Sequence, residues 1–359
     1  MNHIQEDILV EILKHLPVKT LMQFRCVCKS WLRLITDPFF INTHLHFHTN
    51  SNRIIFPRKF EPPLSISPDP YLNSTHKLNL PYIKDFTFYY VKGHCHGLLC
   101  LIIDDGTIVL WNPSINQHTT LPIPKKFKKT REVLGFGFDS SINDYKIIRA
   151  PSFDCKCEVV GYRPCVEILT LTSNYWRKLA DEVIPPYFID NNQQSVTVNN
   201  AVYWLALGDV STVVLKFNLT EEKFAVVPNP PDDCRSRISW VGVLNNSLCV
   251  LHSNMKEYFD IWATRDDCNW EKLITVSKIL GLDSLEPLDY APLCFNKDGS
   301  LVISVTGKGL FAYDVALDEY TMFSDVNKVS FFQEDAAYTE SLVSPETMVI
   351  NLNTPNFID

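Results

Sequence analysis

The chain has 359 residues, 46% of them hydrophobic, and carries 41 acidic against 33 basic side chains for a net charge of −8. That length has room for one small domain and one large one, and an acidic balance without a basic stripe argues against a nucleic-acid partner. Apolar runs such as Gly97–Ile103 are too short to span a bilayer, so no membrane partner is expected.

The N-terminus has no basic region followed by an apolar stretch, so secretion is not expected. Eleven irregularly spaced cysteines suit reduced thiols in cytosol or nucleus better than a disulfide framework. The first forty-odd residues read as short helices. Ile8 and Ile12, with Leu9, Leu13 and Leu16, recur at helical spacing. Glu6 and Asp7 stand where a helix start favours acids, and Lys14 and His15 where its end favours bases. Pro17 stops this helix. Val18–Phe24 predicts a second helix and Cys28–Ile35 a third, with Trp31, Leu32 and Ile35 on one side. Some forty residues are too few for a self-sufficient core, so the segment should dock onto something.

The residues E-D-I-L-V-E-I-L (Glu6–Leu13) and L-P-V-K-T-L-M-Q-F-R-C-V-C-K-S-W (Leu16–Trp31) closely resemble the F-box, which docks a protein onto the Skp-type adaptor of a cullin-RING ubiquitin ligase. Ile4-Gln5 stands where the family commonly has Leu-Pro, a departure that bears on adaptor affinity. The resemblance implies that Leu16, Pro17, Val18, Leu21, Val27, Cys28 and Trp31 enter or abut an adaptor groove, with Ile8, Leu9 and Ile12 buried nearby. Leu16 and Pro17 are assigned to the contact surface, Trp31 and Leu13 to internal packing.

Taking 1–45 as this three-helix unit, residues 46–81 read as a connector, Pro-rich around Glu61–Pro70 and strand-like at Arg53–Pro57. Residues 82–359 read as a large all-β domain, with short β-rich runs separated by Asn, Asp, Gly and Pro. Val276–Leu282 is the best helix candidate within it. Five segments share one plan of strand, polar turn and strand, starting at Val109, Glu167, Leu215, Asp260 and Phe311. Their first anchors, Trp111, Leu169, Phe217, Trp262 and Tyr313, are spaced by 58, 48, 45 and 51 residues. The second anchors, His118, Trp176, Phe224, Trp270 and Tyr320, follow seven or eight residues later. A period of about fifty with hairpin units is what kelch-type propellers show. None of the twelve glycines is adjacent to another, so the kelch Gly-Gly doublet is missing. The expected fold is an irregular, kelch-like β-propeller, with a stacked β-sandwich as the alternative.

Several segments also resemble the F-box-associated domain of plant F-box proteins: C-H-G-L-L-C-L (Cys95–Leu101), L-W-N-P-S (Leu110–Ser114), G-F-G-F-D-S-S-I-N-D-Y-K-I-I-R (Gly135–Arg149), L-T-S-N-Y-W-R-K-L (Leu171–Leu179), A-V-Y-W-L-A (Ala201–Ala206) and F-N-L-T-E-E-K-F (Phe217–Phe224). The texture of Tyr162–Leu179 and Glu340–Ser344 is similar to the S-locus F-box and S-locus F-box-like proteins. The resemblance implies a non-catalytic substrate receptor of an SCF ligase, bridging adaptor and cullin to a target protein. The S-locus likeness implies a style ribonuclease as that target. The alternative is an F-box scaffold or glycan-binding protein acting outside a ligase.

No cofactor or metal is expected. His94-Cys95-His96 with Cys100 has metal-binding residue types, but alternate strand residues point to opposite faces, and packing accounts for the cysteines. His44, His46 and His48 alternate and suit a solvated helix end or strand. Gly135-Phe-Gly137 lacks the third glycine of a dinucleotide fingerprint, and H-E-x-x-H, G-x-S-x-G and Walker motifs are missing. Trp111, Trp176, Trp204, Trp240, Trp262 and Trp270 are expected to fill space between blades. Loops on a rigid scaffold carry recognition, which points to Pro151–Pro164, Pro228–Arg237 and the acidic Leu282–Pro292.

Overall fold

The computed structural model describes residues 5–48, 53–58, 61–67, 76–77, 89–103, 106–123, 132–151, 165–180, 182–183, 185, 187–190, 194–208, 211–231, 237–253, 258–277, 290–296, 298–305, 308–322 and 336–350. It begins with helices α1 (Glu6–Leu13), α2 (Val18–Phe24), α3 (Lys29–Thr36) and α4 (Pro38–Phe47). The sequence predicts three helices here, and the fourth is an addition. Its signal is local: Asp37 Oδ1 accepts from Phe39 N at 2.8 Å and Phe40 N at 3.4 Å, and Pro38 opens the helix. An acidic N-cap followed by proline at the first helical position is a helix start. Leu13, Val18, Leu21, Leu34, Ile35 and Phe40 form the buried core of this module. On α3 it is Leu34 that turns inward beside Ile35, while Leu32, expected there, is 44% exposed.

Within residues 46–81 lie strands β1 (Arg53–Arg58), β2 (Glu61–Ser67) and β3 (His76–Lys77). Five antiparallel sheets built from consecutive strands follow. The first holds β4 (Tyr89–Cys95), β5 (Leu98–Ile103), β6 (Ile108–Asn112) and β7 (Gln117–Leu121). The second holds β8 (Glu132–Asp139), β9 (Asp144–Pro151), β10 (Glu167–Thr170) and β11 (Trp176–Lys178). The third comprises β12 (Phe188–Ile189), β13 (Val196–Val198), β14 (Ala201–Leu207), β15 (Thr212–Asn218) and β16 (Lys223–Val227). The fourth has β17 (Arg237–Leu244), β18 (Ser247–Ser253), β19 (Tyr258–Thr264) and β20 (Glu271–Ser277). The fifth has β21 (Tyr290–Phe295), β22 (Leu301–Val305), β23 (Gly309–Asp314) and β24 (Glu319–Met322). A sixth sheet pairs the late strand β25 (Ala336–Tyr338) with β1, and through it with β2 and β3. A short helix α5 (Pro345–Ile350) comes last among the described residues.

The innermost strands ring an axis. β4 lies against β8 and β13, β13 against β17, β17 against β21, and β21 against β25. Each main apolar cluster mixes two neighbouring sheets, for example Leu98 and Cys100 with Leu134 and Phe136, or Phe259 and Ile261 with Leu301 and Ile303. That is a β-propeller, in which a sheet buries both faces only by stacking on its neighbours. All six of the tryptophans expected between blades lie in or against these clusters.

The five repeated segments are the last two strands of each of the five consecutive sheets. In four of them the two anchors are direct cross-strand partners: Trp111 with His118, Leu169 with Trp176, Phe217 with Phe224, and Tyr313 with Tyr320. In the fourth sheet a register shift beside Trp262 leaves that residue opposite Lys272. The helix expected at Val276–Leu282 does not begin at Val276, which lies wholly buried in strand β20. Residues 278–282 lie outside the described residues.

Candidate docking site and its junction with the propeller

The ten residues assigned to adaptor docking divide by burial. Val18 is 1% exposed and Leu21 0%; both sit in the core beneath the surface, because the α2 face that carries them packs on Leu34, Ile35 and Phe40. Leu9, Leu16 and Trp31 are partly buried against that core, and the Trp31 ring packs on Phe24 at 5.0 Å. Leu13, assigned to packing, is 1% exposed. Pro17 and Cys28 are exposed, as is Val27 at 60%. Ile8 and Ile12, expected to be buried nearby, are 51% and 53% exposed. They lie one turn apart on α1, whose inward residue is Leu13. The same module also exposes Leu32, Phe39 and Phe47, none of which the sequence reading assigned to docking. Large apolar side chains left in solvent on so small a module are of the kind that a partner's surface covers.

Two of the alternating histidines lock the module internally. The α1–α2 turn leaves carbonyls without helical partners, and α4 supplies ring nitrogens to them. His44 Nε2 meets Leu16 O at 2.9 Å and His48 Nε2 meets Lys14 O at 2.9 Å, with the two rings 4.4 Å apart. His44 is fully enclosed, and burial pushes its pKa down.

The module is fastened to the propeller rather than hung from it. Ile115, in the β6–β7 turn, and Leu342, after β25, complete the helical core. Asn112, from L-W-N-P-S, is 0% exposed. Its Nδ2 donates to Ser341 O at 3.0 Å and Val343 O at 2.8 Å, and its Oδ1 accepts from Ser114 N at 2.9 Å. The Tyr338 hydroxyl lies 2.6 Å from Ser114 Oγ and donates toward Gly97 O at 3.2 Å. One buried side chain therefore pins the segment 341–343, which feeds Leu342 to the helices and Val343 to the first two sheets.

The longest family motif, Gly135–Arg149, is structural. A Cβ on Gly135 would stand 2.1 Å from Trp204 Cζ2, so the third sheet's indole occupies that space. Lys146, 4% exposed, is held by Asp139 at 2.7 Å, Glu222 at 3.0 Å and the Leu219 carbonyl at 2.6 Å. Burial opposes ionisation of Asp139, yet Lys146 with the Ser141 and Thr220 donors brings its pKa down to about 2.

Among the described residues no group of three or more His, Cys, Asp or Glu is placed to hold a metal. Burial pushes His94 and His96 down to about 4 and the Cys95 and Cys100 thiols up to about 12. His96 Nδ1 is 3.1 Å from Tyr145 Oη. The eight described cysteines are free thiols. Among the described residues no helix is long and apolar enough to cross a membrane. Of the loops expected to carry recognition, 152–164, 232–236 and 282–289 lie outside the described residues.

Comparison with known proteins agrees with both halves of this architecture. Residues 2–43 match the F-box domain and residues 54–344 the F-box associated beta propeller domain. An F-box/kelch-repeat protein of Arabidopsis thaliana is 23% identical over 95% of this chain and 96% of its own length. The F-box protein CPR1 of the same plant is 27% identical over 84% of this chain and 79% of its own. Among solved structures, TolB from Acinetobacter baumannii superposes with a TM-score of 0.51 at 11% identity, covering 83% of this chain and 70% of TolB, a likeness of fold alone. The chain belongs to the F-box proteins that carry an F-box-associated β-propeller domain, a family whose members generally serve as substrate receptors of SCF ubiquitin ligases.

Proposed function

We propose that this protein is the receptor subunit of an SCF-type ubiquitin ligase, docking through its helical module onto a Skp-type adaptor, and through it onto a cullin-RING ligase, while the propeller holds a target protein. The observation that carries the reading is the contrast within the module. Its core is closed by Ile115 and Leu342 of the propeller domain, yet Ile8, Ile12 and Val27 remain more than half exposed. A surface of that kind needs a partner other than its own chain. Leu16, Pro17, Cys28 and Trp31 extend it, and Val18 and Leu21 support it from beneath. The domain plan we adopt keeps 1–45 as the F-box and 82–359 as the recognition domain, with 46–81 joining them and contributing strands β1–β3 to the sixth sheet.

The receptor itself makes and breaks no bonds, in keeping with a family that is typically non-catalytic. It raises the rate of ubiquitin transfer by holding a target lysine near the loaded conjugating enzyme, an effective-concentration effect. The helical module sits at the end of the propeller that carries the β6–β7 turn. The strand ends Pro151, Val227 and Ser277, from which the recognition segments depart, lie at the opposite end by strand direction. We assign target binding to that opposite end, with the reaction in cytosol or nucleus and a style ribonuclease as the most specific candidate target.

The test is co-purification of the adaptor and cullin with the intact chain and with Ile8→Asp/Ile12→Asp. These exposed positions can change with little effect on folding, and the double variant should lose both partners while melting as the wild type does. Undiminished adaptor capture by the variant would sink the docking surface, and adaptor without cullin would point to a scaffold outside the ligase.

A further inference from the structure

A cavity of about 810 Å³ opens along the propeller axis at the end that faces the helical module. Its rim carries the turns between first and second strands, His96-Gly97, Asn199-Asn200 and Asn245-Asn246, where both residues of each turn have positive φ. Such two-residue turns need residues that tolerate the left-handed region. Helix α4 closes one side with Asn42, Leu45 and His46. The lining is unusual for this protein: a fifth of all residues are charged, but among the described residues the lining contains no Asp, Glu, Lys or Arg. It contains seven asparagines, one glutamine and the hydroxyls of Ser140, Ser195, Thr197 and Thr339.

Some of these amides are already committed to the fold. Asn199 Nδ2 donates to Arg265 O at 3.0 Å, and Asn200 ties Ser140 N at 2.8 Å to Thr220 Oγ1 at 2.7 Å. Two are not. Asn296 is 7% exposed; its Nδ2 donates to Ser300 Oγ at 2.9 Å, while its Oδ1 is buried without a partner. Gln194 Nε2 is likewise a buried donor without a partner. Both atoms lie enclosed in the wall of the cavity, and because a buried polar atom left unpaired costs about 1–3 kcal/mol, a side-chain turn that brings either one to a guest is favoured. The partly exposed rings of Phe138 and Phe295 add apolar faces.

We propose that this cavity binds a short uncharged saccharide. Its volume lies in the range of small-molecule sites, which are mostly apolar with a few polar groups; a lining this rich in amides and hydroxyls suits a guest equally rich in them. Hydroxyls both donate and accept, as do the paired O and N of side-chain amides, and the rings match the C–H faces of a pyranose. An ionised guest would be desolvated with no carboxylate, ammonium or guanidinium among the described lining residues to meet it. The guest would touch α4 as well as five of the sheets, so occupancy would be felt at the helical module. The inference does not depend on the ligase reading, because its test measures binding by the chain alone.

The experiment titrates the purified intact chain with N,N′-diacetylchitobiose, maltose and sucrose by ligand-observed NMR and calorimetry. At least one should saturate with a dissociation constant of about 1 mM or tighter. Gln194→Ala, at a half-exposed position, and Asn296→Leu should each weaken it about tenfold, equivalent to about 1.4 kcal/mol. Thermal melts report whether each variant is folded; if Asn296→Leu is not, Gln194→Ala decides. Failure of all three sugars to saturate overturns the proposal, as does full-strength binding by Gln194→Ala. Tighter binding of acetyl-Asn-Ser-Asn-amide than of any sugar overturns it in favour of a peptide.

Discussion

Gly135 shows what a single residue does in this fold. Besides Trp204 Cζ2 at 2.1 Å, an added Cβ would meet Cη2 at 2.8 Å and Val202 Cγ1 at 2.9 Å. The indole is itself pinned, with Nε1 donating to Leu134 O at 3.3 Å, so it cannot swing aside. Overpacking of this kind costs about 1–3 kcal/mol; Gly135→Ala should lower the urea midpoint accordingly, and an unchanged midpoint would show that the sheets can shift apart. The G-F-G-F motif was visible in the sequence, and so was its mismatch to a dinucleotide fingerprint. The reason for its glycines was not, because the ring that needs the space comes from a sheet some seventy residues further on. The same holds for Lys146, whose partners Asp139 and Glu222 come from two different sheets.

At the scale of elements, the repeated hairpins obey a rule finer than their anchors. The fifth residue after each first anchor, Asn116, Asn174, Glu222, Asp267 and Asp318, has positive φ. Asn and Asp tolerate that region best, so the position was legible as a column of Asn and Asp with one Glu. Three of the second anchors reach back to the preceding sheet. Trp176 Nε1 donates to Pro122 O at 2.6 Å, Trp270 Nε1 to Pro228 O at 2.7 Å, and Tyr320 Oη to Ser277 O. At these three positions the large residue at the start of the last strand links blades, and Trp176 and Tyr320 also pair within their own. The helical module was read correctly for α2 and nearly so for α1 and α3, since periodicity and Pro17 are local signals. Its reliance on Leu342 was not legible, because that contact spans the whole β domain. Leu342 is 1% exposed, and Leu342→Ala should destabilise the helices by about 2–5 kcal/mol. Limited proteolysis should then cut within 5–48 well before the propeller, and simultaneous cleavage of both would mean they unfold as one.

Over the whole molecule, the fold makes stability depend on acidity through neutral histidines. His94 and His96 have folded values of about 4 against about 6.5 in an unfolded chain. Between those values the unfolded state binds more protons, so stability rises with pH there. It is complete above about 6.5 and lost as pH falls toward 4. Asp139 acts in a separate, lower window, because its value of about 2 costs stability only below the ordinary carboxylate range. The melting temperature should therefore drop between pH 7 and pH 5, and a His94→Phe variant should show a shallower drop; parallel curves would assign the acid loss to other groups.

By itself the sequence determined the two-part architecture, the F-box identity of the helices, and the five hairpins that repeat through the β domain. Those features are written in local periodicity, turn residues and spacing, which act over a few residues. What only the tertiary structure decided is how the ring closes, with β25 beside β1, and which of the residues assigned to docking face solvent. It also decided where Gln194 and Asn296, about a hundred residues apart, come to line one cavity. Each depends on packing between segments distant in the chain, and burial is a property of that packing rather than of any stretch of residues.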